Sequence, residues 1–202
     1  MTRPGSAVWQ RRLPSGRRRR RPRGRCQQAK RSPLGDYRPL DRRPARINNR
    51  DEPGHWEGGL VIGAGNDSAA AALAERASRH ALVVPLPDGY GAHATATALA
   101  RQPSHLVKTP TRGQGREMAH WADIETALGI EVFFCDPRSP WQRPTNEQTN
   151  GLLRRWLPKG SNLNLNPVHL AVIADNLNWM PRKLHNWKPA ADIYTQLCRN
   201  HH

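Results

Sequence analysis

The stretch Phe133-Phe-Cys-Asp-Pro-Arg-Ser-Pro-Trp-Gln-Arg-Pro-Thr-Asn-Glu-Gln-Thr-Asn-Gly-Leu-Leu-Arg-Arg-Trp-Leu157 is the part of the sequence from which a fold can be predicted. It continues an apolar run over residues 130–135, which predicts a β-strand. A proline-punctuated loop follows. Pro144 cannot continue a helix from upstream, so a helix is predicted to begin near Thr145, with Thr145 as its N-cap.

One face of this predicted helix combines three kinds of polar group. Glu147, Asn150 and Arg154 are spaced i, i+3 and i+7, so a carboxylate, an amide and a guanidinium share that face. An acidic residue in a first helical turn also offsets the helix dipole, which explains Glu147 equally well without any function. The residues around Glu147 favour a functional interpretation.

Four blocks of sequence resemble one family in the same order. The segments Ser139-Pro-Trp-Gln-Arg143 and Asn146-Glu147, with Thr149-Asn-Gly-Leu-Leu-Arg154, are similar to the third catalytic block of bacterial insertion-sequence transposases of the insertion-sequence-thirty type. The other three blocks are Pro53-Gly-His-Trp-Glu-Gly-Gly-Leu-Val-Ile-Gly63, Leu73-Ala-Glu-Arg-Ala-Ser-Arg79 and Gln114-Gly-Arg-Glu-Met-Ala119. The resemblance runs from about residue 43 to the C-terminus, and four ordered blocks are far more specific than one short motif.

The resemblance implies a fold and a chemistry. Members of this family are DDE transposases with a ribonuclease-H-like (retroviral-integrase-like) α/β core, for which we expect a five-stranded mixed sheet flanked by helices. Their reaction is DNA strand transfer during transposition, with DNA as the partner and Mg²⁺ or Mn²⁺ as cofactors. Two divalent ions about 3.5–4 Å apart activate the attacking oxygen and stabilise the leaving oxygen. No small-molecule substrate is implied, and self-association is left open.

Two of the three metal-binding acids that the family carries are replaced by glycine. The family reads Trp-Glu-Gly-Asp where this chain reads Trp-Glu-Gly-Gly59, and Thr-Trp-Asp-Gln-Gly where this chain has Gly113 in place of the aspartate. Gly113 and Glu147 are separated by the 33 residues 114–146, which matches the family spacing. Glu147 is therefore the surviving acid and the one expected metal ligand, too little to hold a metal pair. We interpret the chain as a truncated, degenerate and catalytically inactive copy.

Four residues could modify this interpretation. Glu57 lies on the same strand face as Gly59, but about 6.5–7 Å away along the strand. Asp136 and Glu117 lie near the site in sequence, and whether Glu57, Glu117 or Asp136 replaces the missing ligands stays open. Arg112 stands at the family's tryptophan position, where it would repel cations, bind a DNA phosphate, or point into solvent.

Six residues around the third block are predicted to approach DNA. Their donors suit phosphates and base edges, and an exposed aromatic ring can stack on an unpaired base. They are Trp141, Gln142, Arg143, Asn146, Asn150 and Arg154. Trp141 is equally consistent with a place in the core. Trp179 and Trp187 are expected to pack in the C-terminal helical region.

The first quarter of the chain carries almost all of its net charge. Residues 1–50 hold 17 Lys/Arg against two acids, whereas residues 51–202 hold 15 against 14. We predict a disordered basic arm over residues 1–50 that binds phosphate backbones, with Arg17, Arg18, Arg19, Arg20 and Arg21 at its centre. The alternative is a functionless leader. No helical periodicity marks residues 1–50, so the family's helix-turn-helix region is expected to be missing.

A coarse reading gives the order of elements. Strands are predicted over residues 60–62, 68–77, 79–85, 106–112 and 130–135, and helices over residues 92–101, 117–128, 169–177 and 190–197, besides the helix near Thr145. The alanine run at residues 69–72 is predicted as strand from the resemblance, against its helical propensity. We assign residues 51–160 to the catalytic core and residues 161–202 to a helical extension.

The remaining features exclude other classes. No long apolar run or secretory signal occurs, so a bacterial cytoplasmic, nucleoid-associated protein without a membrane segment is expected. Cys26, Cys135 and Cys198 lack the spacing of a zinc site and are expected to be free thiols. A non-enzymatic, basic nucleic-acid-binding remnant is the alternative function to an inactive strand-transfer protein.

Overall fold

A computed structural model describes residues 34–86, 92–115, 118 and 120–200. Within it, six strands form one sheet: β1 (Arg38–Pro39), β2 (His55–Ile62), β3 (Ala69–Glu75), β4 (Ala81–Pro85), β5 (Thr109–Arg112) and β6 (Phe133–Phe134). Their order across the sheet is β1-β6-β5-β2-β3-β4. The pairs β2–β3 and β3–β4 are antiparallel, whereas β2–β5, β5–β6 and β1–β6 are parallel. The sheet is therefore mixed, as predicted.

Five α-helices accompany the sheet: α1 (Ala92–Ala100), α2 (Trp121–Leu128), α3 (Pro144–Leu153), α4 (Pro167–Asn178) and α5 (Ala190–Arg199). Gly129 ends α2 in the left-handed conformation, with φ at 63°, and its N–H donates to the carbonyl oxygen of Glu125. Asn166 caps α4 by accepting from the N–H groups of Val168 and His169. Among the described residues, no helix has the length and apolar character needed to span a membrane.

The two faces of the sheet bury different clusters because side chains alternate along each strand. Val61 packs with Leu153 of α3 and Leu170 of α4 on one face. Trp56, whose side chain lies on the opposite face of the sheet, packs with Leu99 of α1 and Tyr194 of α5. Because of this alternation, Glu57 and Gly59 lie on the same face of the sheet as helix α3.

The predicted order of elements is confirmed, but the predicted number of strands is wrong. The sheet has six strands, not five, because Arg38–Pro39 pairs in parallel with Phe133–Phe134 at its edge. This strand lies inside the predicted disordered arm, so the arm cannot extend to residue 50. Leu34 and Ile47 are buried there, 5% and 2% exposed, and Arg43 donates to Oγ1 of Thr111 at 2.9 Å.

Candidate functional site

The three positions at which the resemblance implies acids, Gly59, Gly113 and Glu147, meet around the guanidinium of Arg143. A β-carbon on Gly59 would lie 3.2 Å from Nη1 of Arg143, and one on Gly113 would lie 3.3 Å from Nη2. The Glu147 carboxylate lies 3.7 Å from the same Nη2. The fold therefore brings Gly59, Gly113 and Glu147 together, with a positively charged side chain between them.

The sheet register explains this convergence. Glu57 of β2 faces Thr111 of β5 in the parallel pair. Two residues further along each strand, Gly59 and Gly113 follow on the same face of the sheet. Helix α3 packs on that face against β2 and β3, so its first turn brings Glu147 to the same place.

Arg143 is held at this position by the backbone. Its Nη1 donates a 2.5 Å hydrogen bond to the carbonyl oxygen of Gly58, and its side chain is 15% exposed. The sequence predicts that Arg143 approaches DNA. Its guanidinium lies in the space that side chains at positions 59 and 113 would otherwise share, and the side chain also lines an open cleft.

Asn146 fills the remaining space at Gly59. A β-carbon on Gly59 would overlap Nδ2 of Asn146, whose side chain is completely buried. Neither its Nδ2 nor its Oδ1 has a hydrogen-bond partner among the described residues. The prediction that Asn146 approaches DNA is therefore wrong for this structure, because the amide is enclosed against β2.

Glu57, one of the proposed substitute ligands, is used by the fold. Its carboxylate accepts from Nε of Arg76 at 3.0 Å and from the backbone N–H groups of Thr145 and Asn146 at 2.8 and 3.0 Å. These N–H groups belong to the first turn of α3, where a negative charge is stabilised by unpaired donors and by the helix dipole. Helix α3 thus begins at Pro144, and Thr145 is not its N-cap.

A cleft of about 440 Å³ opens beside Arg143. Gly59, Gly113, Gln114, Arg138 and Ser139 contribute to its wall, as does Asp136. Asp136 is engaged with Gln142: the Gln142 amide nitrogen donates to Oδ2 of Asp136 at 2.9 Å, and the Asp136 N–H donates to Oε1 of Gln142 at 2.7 Å. Glu147 lies outside the lining of this cleft.

The described residues do not fit a divalent metal pair. Mg²⁺ and Mn²⁺ take oxygen ligands, and glycine at positions 59 and 113 supplies no side-chain oxygen. Among the described residues, no group of three or more His, Cys, Asp or Glu side chains is arranged to hold a metal ion. Glu117 lies outside the described residues.

Arg112 lies on the opposite side of the sheet from the cleft. It is 2% exposed, and a β-carbon on Gly58 would overlap its guanidinium. Arg112 therefore neither repels cations from within the cleft nor points into solvent, which corrects both expectations. Gly58 is required at this position because the arginine side chain passes across it.

The other predicted DNA-contacting residues are distributed unevenly. Trp141 is 71% exposed on the loop before α3, which excludes a place in the core. Arg154 is directed inward and donates to the carbonyl oxygens of Ile62 and Leu157 at 3.1 Å, so it is not available to DNA here. Asn150 of α3 is half-buried. The arginines at positions 17–21 lie outside the described residues.

Two further expectations about single residues are settled by burial. Trp179 and Trp187 do not pack, since they are 60% and 67% exposed. Cys135 and Cys198 are free, as predicted. Burial raises the pKa of the Cys135 thiol to about 11, so it stays protonated at neutral pH.

The Glu57–Arg76 pair and the central place of Arg143 are not evident from the sequence. The position of Glu57 was partly predictable, because a residue two places before Gly59 lies on the same face of the strand. Its partner Arg76 was not predictable, because the antiparallel pairing of β2 with β3 brings Arg76 to Glu57. No local pattern marks Arg143 as inward-pointing.

Two known transposases are similar in sequence. The chain is 46% identical over 175 residues to the transposase for insertion sequence element IS1086 of Cupriavidus metallidurans, covering 85% of this chain and 52% of the relative. It is 40% identical over 159 residues to transposase InsI for insertion sequence element IS30A of Escherichia coli, covering 77% and 41%. The chain thus spans about half the length of these relatives. No protein-family model matches the chain.

A solved structure shares the fold. The chain is similar to a chain of the simian T-cell lymphotropic virus intasome in complex with PP2A regulatory subunit B56 gamma, with a TM-score of 0.56. The match covers 71% of this chain and 55% of the other, at 18% sequence identity. This similarity confirms the predicted ribonuclease-H-like core, a mixed sheet with flanking helices.

Proposed function

Because the chain belongs with the transposases of the insertion-sequence-thirty type, we propose that it is a DNA-binding protein built on a transposase core that does not perform metal-dependent strand transfer. The observation that carries this proposal is the position of the Arg143 guanidinium between Gly59, Gly113 and Glu147. A single positive charge faces a single carboxylate there, where the family resemblance implies three acids around two cations.

The absence of ligands is the first support. A bound metal pair would supply the charge that activates the attacking oxygen and stabilises the leaving oxygen. Glu147 alone cannot offset the repulsion between two divalent ions, and neither of the two other candidate carboxylates that the structure describes, Glu57 and Asp136, is free to help. Glu57 is committed to Arg76 and to the first turn of α3, and Asp136 to Gln142.

The charge of the cleft is the second support. Arg138 and Arg143 line it, and its open volume of about 440 Å³ beside the Arg143 guanidinium is large enough for a phosphodiester group. Arginine binds phosphate through paired N–H donors, and this binding needs no metal. Exposed Trp141 stands on the loop between β6 and α3, where its ring can stack on an unpaired base.

The basic N-terminal segment adds affinity without sequence preference. It lies mostly outside the described residues, but its 17 Lys/Arg are read from the sequence. Each phosphate that such residues neutralise releases counterions, so binding should weaken steeply with salt. DNA is the proposed partner of both the segment and the cleft.

The test compares DNA binding with DNA cleavage by the full chain. We expect salt-sensitive binding to a fluorescent duplex in EDTA, and no nicking of supercoiled plasmid in Mg²⁺ or Mn²⁺. Nicking that depends on Mn²⁺ and disappears in Glu147→Ala would overturn the proposal in favour of an active strand-transfer enzyme. Failure to bind DNA at low salt would overturn the proposed function altogether.

A further inference from the structure

A second pocket lies between α3 and the segment that joins α4 to α5. Its volume is about 340 Å³, and its wall includes three basic side chains, Arg79, Arg182 and Lys183. Gln148 and Thr149 of α3 also face it. No carboxylate is among the described residues that line this pocket, so its charge is unbalanced.

The loop that carries Arg182 and Lys183 is fixed in place. Pro181 and Pro189 form an isolated bridge at its base, and the Arg182 and Trp187 N–H groups donate to the carbonyl oxygens of Lys188 and Arg182 at 3.1 and 2.9 Å. The His185 ring contacts the carbonyl oxygen of Ser78 through Nε2 at 2.9 Å, which attaches the loop to the turn after β3. The backbone that carries Arg182 and Lys183 is therefore held in position before any ligand binds.

The basic side chains of the pocket influence one another and their neighbours. Burial lowers the pKa of Arg79 and the charge of Arg50 lowers it further, whereas the carboxylates of Glu57 and Glu75 raise it. Burial likewise lowers the pKa of His185, assisted by Arg79 and Arg182. In addition, Nε of Arg182 is buried without a hydrogen-bond partner among the described residues. An anion in the pocket would offset the repulsion between these basic groups.

We propose that this pocket, formed by Arg79, Arg182 and Lys183, binds a phosphate group of a nucleic-acid backbone. The inference rests on the proposed function and adds a docking point away from the Arg143 cleft. Helix α3 joins the two, since Gln148 of this pocket follows Glu147 directly. The same loop exposes Trp187, 67% accessible, which offers a stacking surface that a free phosphate ion would not use.

The test uses the full chain with Arg182 and Lys183 both changed to glutamine. Lys183→Gln alone serves as a second variant, because Lys183 is exposed whereas Arg182 also donates to the carbonyl oxygen of Leu177 at 3.0 Å. The matched control changes Lys159 and Arg199, two exposed basic residues outside the pocket lining, to glutamine. Duplex binding is measured against salt concentration, and pyrophosphate and a single-stranded oligonucleotide are tested separately.

We expect the slope of log K against log salt to fall by about 1 for Lys183→Gln and by about 2 for the double variant, beyond any change in the control. Trp187→Ala should weaken single-stranded DNA binding and leave pyrophosphate binding unchanged. If the variants bind DNA with the same salt slopes as the wild-type chain, the phosphate site in this pocket is excluded, whereas the proposed function is not. Pyrophosphate binding without any effect on DNA would show an anion site unrelated to nucleic acid and would also overturn it.

Discussion

The Glu57 carboxylate accepts a 3.0 Å hydrogen bond from Nε of Arg76, and both side chains are almost completely buried. The same carboxylate receives two backbone N–H groups from the start of α3. One acid thus compensates a buried cation and fixes the helix that carries Glu147. Glu57, whose role as a substitute metal ligand was left open by the sequence, therefore stabilises the fold.

Removing this carboxylate should destabilise the fold strongly. Glu57→Ala would leave Arg76 buried without its acidic partner and two helix donors unpaired, which costs about 3–5 kcal/mol in the free energy of unfolding. Urea denaturation measures the loss. Glu131→Ala is the control, because its contact with Arg38 is 3.6 Å long and its side chain is 59% exposed, so it should cost less than about 1 kcal/mol. Equal effects in the two variants would contradict the assignment.

Gly59 and Asn146 should behave as a coupled pair. Gly59→Ala forces a β-carbon into Nδ2 of Asn146 and should cost about 1–3 kcal/mol. Asn146→Ala removes an amide that has no partner among the described residues, and should be close to neutral. The double variant should recover most of the loss, which a double-mutant cycle by denaturant unfolding measures.

The control for this cycle lies on the same helix. Gly151→Ala in α3 places its β-carbon in open space and should stabilise the fold by up to about 1 kcal/mol. Strictly additive effects of Gly59→Ala and Asn146→Ala would show that the two residues do not touch.

The elements that could be predicted from the sequence are those with a local signal. Gly129 ended α2 where expected, and β3 formed from its alanine run as the resemblance implied. The two-residue strand Arg38–Pro39 could not be predicted, because proline disfavours strands and its pairing depends entirely on β6.

The candidate site was predictable in outline but not in its contents. The spacing of the blocks placed Gly59, Gly113 and Glu147 together. The inward turn of Arg143 and the burial of Asn146 depend on α3 packing against β2, a contact between segments far apart in the sequence. Residues whose surroundings are set by tertiary packing carry no periodicity that would reveal them.

Stability should fall in mild acid because His80 is half-buried, with its Nδ1 enclosed. Its ring stacks on Tyr194 with 4.1 Å between centroids, and burial lowers its pKa to about 4. The unfolded state therefore takes up the proton first, near pH 6.5, and the native state only near pH 4. Stability is fully present above about pH 6.5 and declines below it by up to about 1.4 kcal/mol per pH unit for this histidine.

Replacing the histidine tests this assignment. His80→Phe keeps an aromatic ring against Tyr194 and removes the titration, so the decline between pH 6.5 and 4 should become shallower. Denaturant unfolding at several pH values provides the comparison. His55, whose pKa burial also lowers to about 4, should sustain a remaining slope. Identical slopes for wild type and His80→Phe would refute the role of His80.

Trp141 should matter for DNA and not for folding. Its side chain is 71% exposed, so Trp141→Ala should change the free energy of unfolding by less than about 0.5 kcal/mol. Loss of base stacking should weaken single-stranded DNA binding by about 1–3 kcal/mol, measured by fluorescence anisotropy. Trp179→Ala, which removes a comparably exposed ring from the end of α4, is the matched control. The stacking role is excluded if both variants bind single strands equally well.

The proposal that Gly59, Gly113 and Glu147 do not hold a metal pair is tested most directly by Mn²⁺ binding, followed by the electron paramagnetic resonance signal of the free ion. Wild type and Glu147→Ala should bind Mn²⁺ equally weakly, because Gly59 and Gly113 provide no ligands. Gly59→Asp combined with Gly113→Asp should bind at least about tenfold more tightly, a gain of about 1.4 kcal/mol, and should lose that gain when Glu147→Ala is added. Tight Mn²⁺ binding by the wild-type chain that Glu147→Ala abolishes would contradict the account.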